Sequence, residues 1–332
     1  MSYRAGPLAR KLLISLLTIF IALTFTFILI RQMPGDILHT WALNIMQQQG
    51  INYSEAYDIA GTMLNYDPTV PVTIQYIKYI RGLLSGNLGT SLTYRIPVSS
   101  IIIKALPWTI FVCSLSLIIS FVIGILLGTA IAWKRKTLLE PVVTLYASIT
   151  QAIPDFLIAL ILLVVFGVTL RWFPLRGAYS ADTTPGFNLP FILDVFYHAV
   201  LPVLAYTLQY MGTWALGMKA SATGVLGEDY ITVAKARGLK EKRIIIHYLA
   251  RNAILPLITS LALAFGTIVG GSMLVDTVFG YPGIGYFFGQ AIATRDYSLI
   301  QGLFLLTTVI MIFANLVADI VYTRLDPRIK LE

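Results

Sequence analysis

An all-α membrane protein is the fold class this sequence predicts, and three observations predict it. Six long stretches almost free of charge, at 12–30, 105–133, 141–170, 195–218, 252–275 and 297–318, alternate with short charged segments. Hydrophobic residues make up 57% of the 332 and charged residues only 12%, roughly half the charged share of an ordinary soluble domain. Only the third stretch contains an acidic or basic side chain, Asp155. A helix rises ~1.5 Å per residue, so about 20 apolar residues cross a bilayer core of ~30 Å. Backbone amides in lipid have no water to bond, so each stretch is expected to be a helix. The competing class, a large soluble helical protein, builds helices of ~11–12 residues on average, too short for these runs.

The first stretch follows Arg4, Arg10 and Lys11. Its 19 apolar residues exceed the ~7–15 of a signal core and no small-x-small cleavage site follows, so it is expected to remain as the first span. With the N-terminus inside, 16 of the 24 Lys and Arg residues fall in cytoplasmic segments, including Lys134-Arg135-Lys136, Lys219, Lys235, Arg237, Lys240, Lys242, Arg243, Arg251, Arg324, Arg328 and Lys330. That excess obeys the positive-inside rule and puts both termini in the cytoplasm. The net charge of +8 is therefore a topology signal, and no basic patch interleaved with aromatics argues for nucleic acid. The single cysteine, Cys113, excludes an intrachain disulfide and a multi-cysteine metal site.

The expected organisation is a tail and first span over 1–30, an extracytoplasmic region over 31–104, a five-helix core over 105–323, and a cytoplasmic tail over 324–332. Pro34-Gly35, Asp67-Pro68 and Gly86-Asn87 mark turns in the long outer loop, and 54–64 and 72–84 are expected to form short helices there. Two further outer loops cover 172–193 and 276–296, the latter carrying Phe279-Gly280-Tyr281-Pro282-Gly283-Ile284-Gly285. The inner links are short except for 219–251. There Ile231, Ala234 and Leu239 alternate with Asp229, Lys235 and Arg237, which suggests two short amphipathic helices broken at Gly238. The plainer reading of the same pattern is a solvated, positively charged surface loop.

The run from Glu228 to Leu239 (EDYITVAKARGL), closed by Arg251-Asn252-Ala253-Ile254-Leu255-Pro256, resembles the cytoplasmic coupling loop of ABC importer permeases, specifically the dipeptide/oligopeptide branch. Arg31-Gln32-Met33-Pro34-Gly35-Asp36, the Asp276–Gly285 segment and Leu325-Asp326-Pro327-Arg328-Ile329 agree with that branch, in order and over essentially the whole chain. One departure is that Thr232-Val233-Ala234 stands where the general loop has Glu-Ala-Ala. The resemblance implies the type I importer (MetI-like) permease fold with a long extracytoplasmic loop after the first helix. It implies import of peptides, with oligosaccharides, nickel chelates or opines as alternatives. The implied partners are a second homologous permease, two cytoplasmic ATP-binding subunits, an extracytoplasmic solute-binding protein and the lipid bilayer. Asp229, Tyr230, Val233, Ala234, Ala236, Arg237, Gly238 and Leu239 would form the element that meets an ATPase. The chain itself would be no enzyme and hold no cofactor, with ATP and Mg²⁺ bound by the partners.

The residues support that division of labour. A phosphate-binding loop needs adjacent Gly-Lys at a helix start; the nearest run, Gly212–Lys219, lacks it and lies in a span. No metal site is expected. Asp155, Gln151 and Gln209 are candidate pathway-lining residues, because an intramembrane charge costs ~2.5–3.5 kcal/mol unless it meets a cavity or partner. For Asp155 the alternatives are a site at the cytoplasmic edge or a pairing with a neighbouring helix. Gln151, Gln209, His198 and Asn315 equally suit interhelical hydrogen bonds. The small-xxx-small pairs Gly124/Gly128 and Gly266/Gly270 suit close packing, at the second permease or elsewhere. Two other classes compete. A stand-alone ion-coupled transporter would need midplane carboxylates, of which Asp155 alone qualifies. An intramembrane hydrolase would need Ser272 and His198 to meet.

Overall fold

The computed structural model describes residues 5–32, 37–64, 70–134, 137–271 and 273–325. Met33 to Asp36, Asp67-Pro68, Ser272 and the tail motif from Asp326 lie outside the described residues, as do Arg4, Arg135, Lys136, Arg328 and Lys330. Among the described residues the secondary structure is helical, with one isolated bridge, Thr90 to Pro97, and no strand. The chain divides into two compact units, Met1–Leu106 with Phe287–Val309, and Pro107–Tyr286 with Ile310–Glu332.

The first unit begins with α1 (Ala5–Gln32), α2 (Ile37–Gln49), α3 (Tyr53–Leu64) and α4 (Val72–Leu84). Leu38, Ala42 and Ile45 recur at helical spacing along α2 and bury themselves against Ala56 and Ala60 of α3, so this hairpin carries its own small core. Phe27 of α1 is buried beside the rings of Tyr76 and Tyr79, with centroids 5.1 and 5.4 Å away. Leu13, Leu16, Leu17, Phe20, Ile21 and Phe25 of α1 are exposed, an apolar face suited to lipid or another helix.

The second unit is built on α5 (Val98–Trp133) from Pro107 onward, α6 (Leu139–Ala152), α7 (Asp155–Leu162, prolonged by a wide π-helical turn over Leu163–Thr169) and α8 (Leu189–Leu226). α5 and α8 approach closely: a Cβ at Gly124 would collide with Trp214 Cβ, and one at Gly128 with the Ala215 carbonyl and Met218 Cβ. Gly212 of α8 meets Ala147 of α6 in the same way. The Gly124/Gly128 pair is thus an internal seam. Gly266 likewise closes on Ala314 and Met311 of this chain.

Beyond α8 come α9 (Asp229–Ala236), α10 (Glu241–Arg243), a π-helical stretch Ile244–Ala250, α11 (Arg251–Ala253), α12 (Leu255–Gly271), α13 (Met273–Phe279), α14 (Ile284–Thr294) and α15 (Tyr297–Leu325). Among the described residues three helices are long and apolar enough to cross a membrane: Val98–Trp133, Leu189–Leu226 and Tyr297–Ile320. Two bent pairs, Leu139–Ala152 with Asp155–Thr169 and Glu241–Ala253 with Leu255–Val269, raise the number to five, and Leu13–Leu29 is a shorter apolar helix.

The third apolar stretch, expected as one helix, is broken. Ile153 turns extended (ψ 125°) ahead of Pro154, and α7 leaves α6 at 101°. The cause is local, because proline's ring disfavours the helical region for the residue before it. The fifth stretch bends by 50° where Pro256 enters the first turn of α12.

Candidate functional site

α8 ends at Leu226, and the chain turns through Gly227 into α9. α9 closes with a Schellman arrangement: the Gly238 amide donates to the Lys235 carbonyl at 2.9 Å and the Leu239 amide to the Ala234 carbonyl at 3.3 Å. Gly238 has φ +67°, the left-handed conformation this closure needs. The chain reverses there and re-enters helix at Glu241. The result is an elbow of two short limbs.

The two faces of the elbow differ. Ile231, Ala234 and Ile244 are buried together, with Val225, Leu226, Leu239, Tyr248 and Trp133 packed around them. Each buried isoleucine stabilises this small core by roughly 1.5–3 kcal/mol. The opposite face of α9 presents Tyr230 and Val233, 39% and 54% exposed, with Asp229, Ala236, Arg237 and Gly238 also exposed. Partial burial, then the Glu228 carboxylate, hold the Tyr230 phenol above its ordinary range, so it faces outward uncharged. Ala234 and the partly buried Leu239 are therefore inner-face residues, whereas Asp229, Tyr230, Val233, Ala236 and Arg237 lie on the exposed side of the elbow.

The three proposed pathway residues have different settings. Asp155 is partly buried at the first position of α7, where Oδ1 accepts the Phe156 amide at 2.8 Å. Gln151 is exposed in the last turn of α6. Gln209 of α8 has a buried Oε1 with no hydrogen-bond partner among the described residues. No hydrogen bond joins any two of these three among the described residues. His198 is tied to its own turn, its Nδ1 lying 2.9 Å from the Asp194 carbonyl and 3.2 Å from the Asp194 carboxylate. That carboxylate in turn accepts the Ser180 amide and hydroxyl, which ties down the loop ahead of α8. Asn315 is exposed. No group of three or more His, Cys, Asp or Glu is placed to hold a metal among the described residues.

Sequence reasoning quoted Asp276 only as part of a motif and assigned no role to Thr109 or Trp133. Buried Asp276 accepts the Gly285 amide at 3.2 Å, and the Thr109 hydroxyl accepts the Ile284 amide at 2.7 Å. Gly283 lies so close that a Cβ there would stand 2.5 Å from Asp276 Oδ2 and 2.7 Å from Thr109 Oγ1. The Tyr281 amide donates to the Asp276 carbonyl, and the ring packs edge-on to Trp108. The Pro/Gly segment from Phe279 to Gly285 is thus a pinned structure. Burial, then the Asp276 carboxylate, push the Tyr281 phenol well up, so it remains neutral.

Long apolar helices carrying a short, two-faced elbow define a membrane-embedded transport component. The chain belongs to the family described as the binding-protein-dependent transport system inner membrane component, which it matches over residues 120–331. It is 31% identical to the oligopeptide transport system permease protein AppB of Bacillus subtilis (strain 168), over 98% of this chain and 99% of that one. It is equally 31% identical to the di/tripeptide transport system permease protein DppB of Pseudomonas aeruginosa (strain UCBPP-PA14), over 97% and 98%. Among solved structures, a chain from the inward-facing MetNI methionine ABC transporter shares the fold with TM-score 0.53 at 15% identity, covering 69% of this chain and 97% of its own. The chain is therefore a membrane permease of the ABC-transporter class with the type I importer fold.

Proposed function

We propose that this chain is one of two related permease subunits of an ATP-driven importer of short peptides. It would form half of the translocation path, cross the membrane six times with both termini in the cytoplasm, and hold no ATP or Mg²⁺ itself. Two ATP-binding subunits would supply the energy and an extracytoplasmic binding protein would deliver the peptide. The names of the curated relatives support the substrate class. The single observation that carries the coupling role is the two-faced elbow: an inner face packed on the chain's own helices and an outer face led by Tyr230 and Val233.

A protruding helix with apolar residues at its centre and charges at its rim suits a groove on a partner. Closure of two ATPases would draw such elbows together and rock the attached helices, so that the path opens outward. Asp229, Tyr230, Val233, Ala236 and Arg237 make the contact, while Ala234, Gly238 and Leu239 keep the elbow's shape. Asp155, with Gln151 and Gln209, lines the path as a second element of the proposal, supported by the break that starts a new helix at Asp155 inside an apolar stretch.

The test is reconstitution of this chain with its partner permease, ATPases and binding protein in proteoliposomes. Radiolabelled trialanine should accumulate only with ATP inside and binding protein outside. Competition by maltotriose or by a nickel–histidine chelate, but not by peptide, would move the substrate to an alternative class. Uptake by this chain alone, driven by an ion gradient, would overturn the reading.

A further inference from the structure

Among the described residues, the elbow's core is made by 225–248 with one outside contributor, Trp133, the last residue of α5. Both limbs of the elbow hold that side chain. Lys235 of α9 places its ammonium 5.2 Å from the centroid of the indole ring, within cation–π range. Glu241, at the start of the second limb, accepts a hydrogen bond from the indole Nε1. The two partners carry opposite charge and lie on opposite sides of Gly238, so the indole bridges the hinge.

Building on the coupling role proposed above, we infer that Trp133 is a positioning residue that makes α5 follow the elbow. α8 runs into the elbow through the backbone at Gly227, so any displacement of the elbow pulls it directly. α5 has no such connection. Its packing on α8 joins the close approach at Gly124 and Gly128 to two edge-to-face ring pairs, Phe121 on Trp214 and Phe111 on Phe196. That seam fixes how the two helices lie along their spans, but among the described residues Trp133 is the α5 residue packed into the elbow's core. Gly128 lies about 7.5 Å along the axis from Trp133. The indole, gripped at the end of the helix by a cation and an acceptor, sets rotation and register. Seam and clasp together make α5 and α8 turn as a pair. Without the clasp the elbow drives α8 directly and reaches α5 only through the seam.

The experiment uses the complete transporter in nanodiscs, with ATP hydrolysis and trialanine uptake measured on the same preparation. Trp133→Leu is expected to keep assembly and hydrolysis within about twofold while uptake per ATP falls about tenfold, the scale of coupling changes at positions that touch no ligand. Trp133→Phe, which keeps the ring but loses the N–H, should lower the ratio less. Glu241→Gln should match it, and the double variant Trp133→Phe/Glu241→Gln should be no worse than either single one, because both remove the same contact. An unchanged uptake-to-hydrolysis ratio in Trp133→Leu, or additive losses in the double variant, overturns the inference. Should Trp133→Leu fail to assemble, the Phe and Gln cycle decides alone. Val233→Asp, on the outer face, separates the two readings. If it leaves the ratio intact, the elbow is not the coupling element and both fall. If it uncouples while the Trp133 variants do not, only the clasp falls.

Discussion

The Ser91 hydroxyl donates a hydrogen bond to the Asp296 carboxylate, joining two residues 205 positions apart at a fully buried site. The same carboxylate accepts the Thr93 amide at 3.0 Å and, through its other oxygen, the Leu299 amide at 3.1 Å. Asp296 thus caps the start of α15 and fastens the 91–94 segment at once. Asp296→Ala leaves buried donors unsatisfied and is expected to cost about 2–4 kcal/mol, with Asp296→Asn costing less. Thermal unfolding of the purified complex in detergent measures both.

Two glycine substitutions should separate close packing from backbone conformation. Gly128→Leu drives a side chain into Ala215 and Met218 and should abolish recovery of folded protein. Gly238→Ala meets nothing within 4 Å but keeps a positive φ, so it should cost only about 1–2 kcal/mol. Size-exclusion profiles of the detergent-solubilised variants distinguish these outcomes.

The Lys219–Glu140 ion pair, at 2.7 Å, looks strong by distance alone. Both side chains are about a third exposed, at 31% and 33%, so solvent screens them. Lys219→Met is expected to shift stability by under about 1 kcal/mol. A larger loss in the same melting assay would show that the pair is desolvated in the assembled transporter.

Asp155→Asn removes the one charge in the apolar stretches while keeping an acceptor for the Phe156 amide. If Asp155 lines the path, the variant should take up a lysine-containing tripeptide less well relative to trialanine, by about two- to fivefold, with trialanine uptake little changed. Equal effects on both peptides would assign Asp155 to structure rather than selectivity.

Much of this was legible in the sequence because lipid enforces a simple code: long uncharged runs must be helices, and among the described residues the six runs are largely helical, with the third broken at Ile153-Pro154. The elbow was readable from the spacing of Ile231 and Ala234 and from Gly238, a residue whose positive φ few others adopt. The break at Ile153 was hidden by apolar composition on both sides, although Pro154 was its signal. Trp133, Thr109 and Asp296 act on partners roughly a hundred or more residues away, and no periodicity or spacing reports such contacts. Ala234 was recognisable as part of the elbow, but its inward direction required the coordinates.

The length of α8 has a mechanical consequence. Its 38 residues make a rod of about 57 Å, so tilting it ~10° about its midpoint sweeps each end through about 5 Å. One end carries the elbow, and near the other Asp194 holds the loop at Ser180. A push of a few ångströms on the first end is therefore felt at the second, as on a seesaw, less whatever bending the interior Pro202 absorbs.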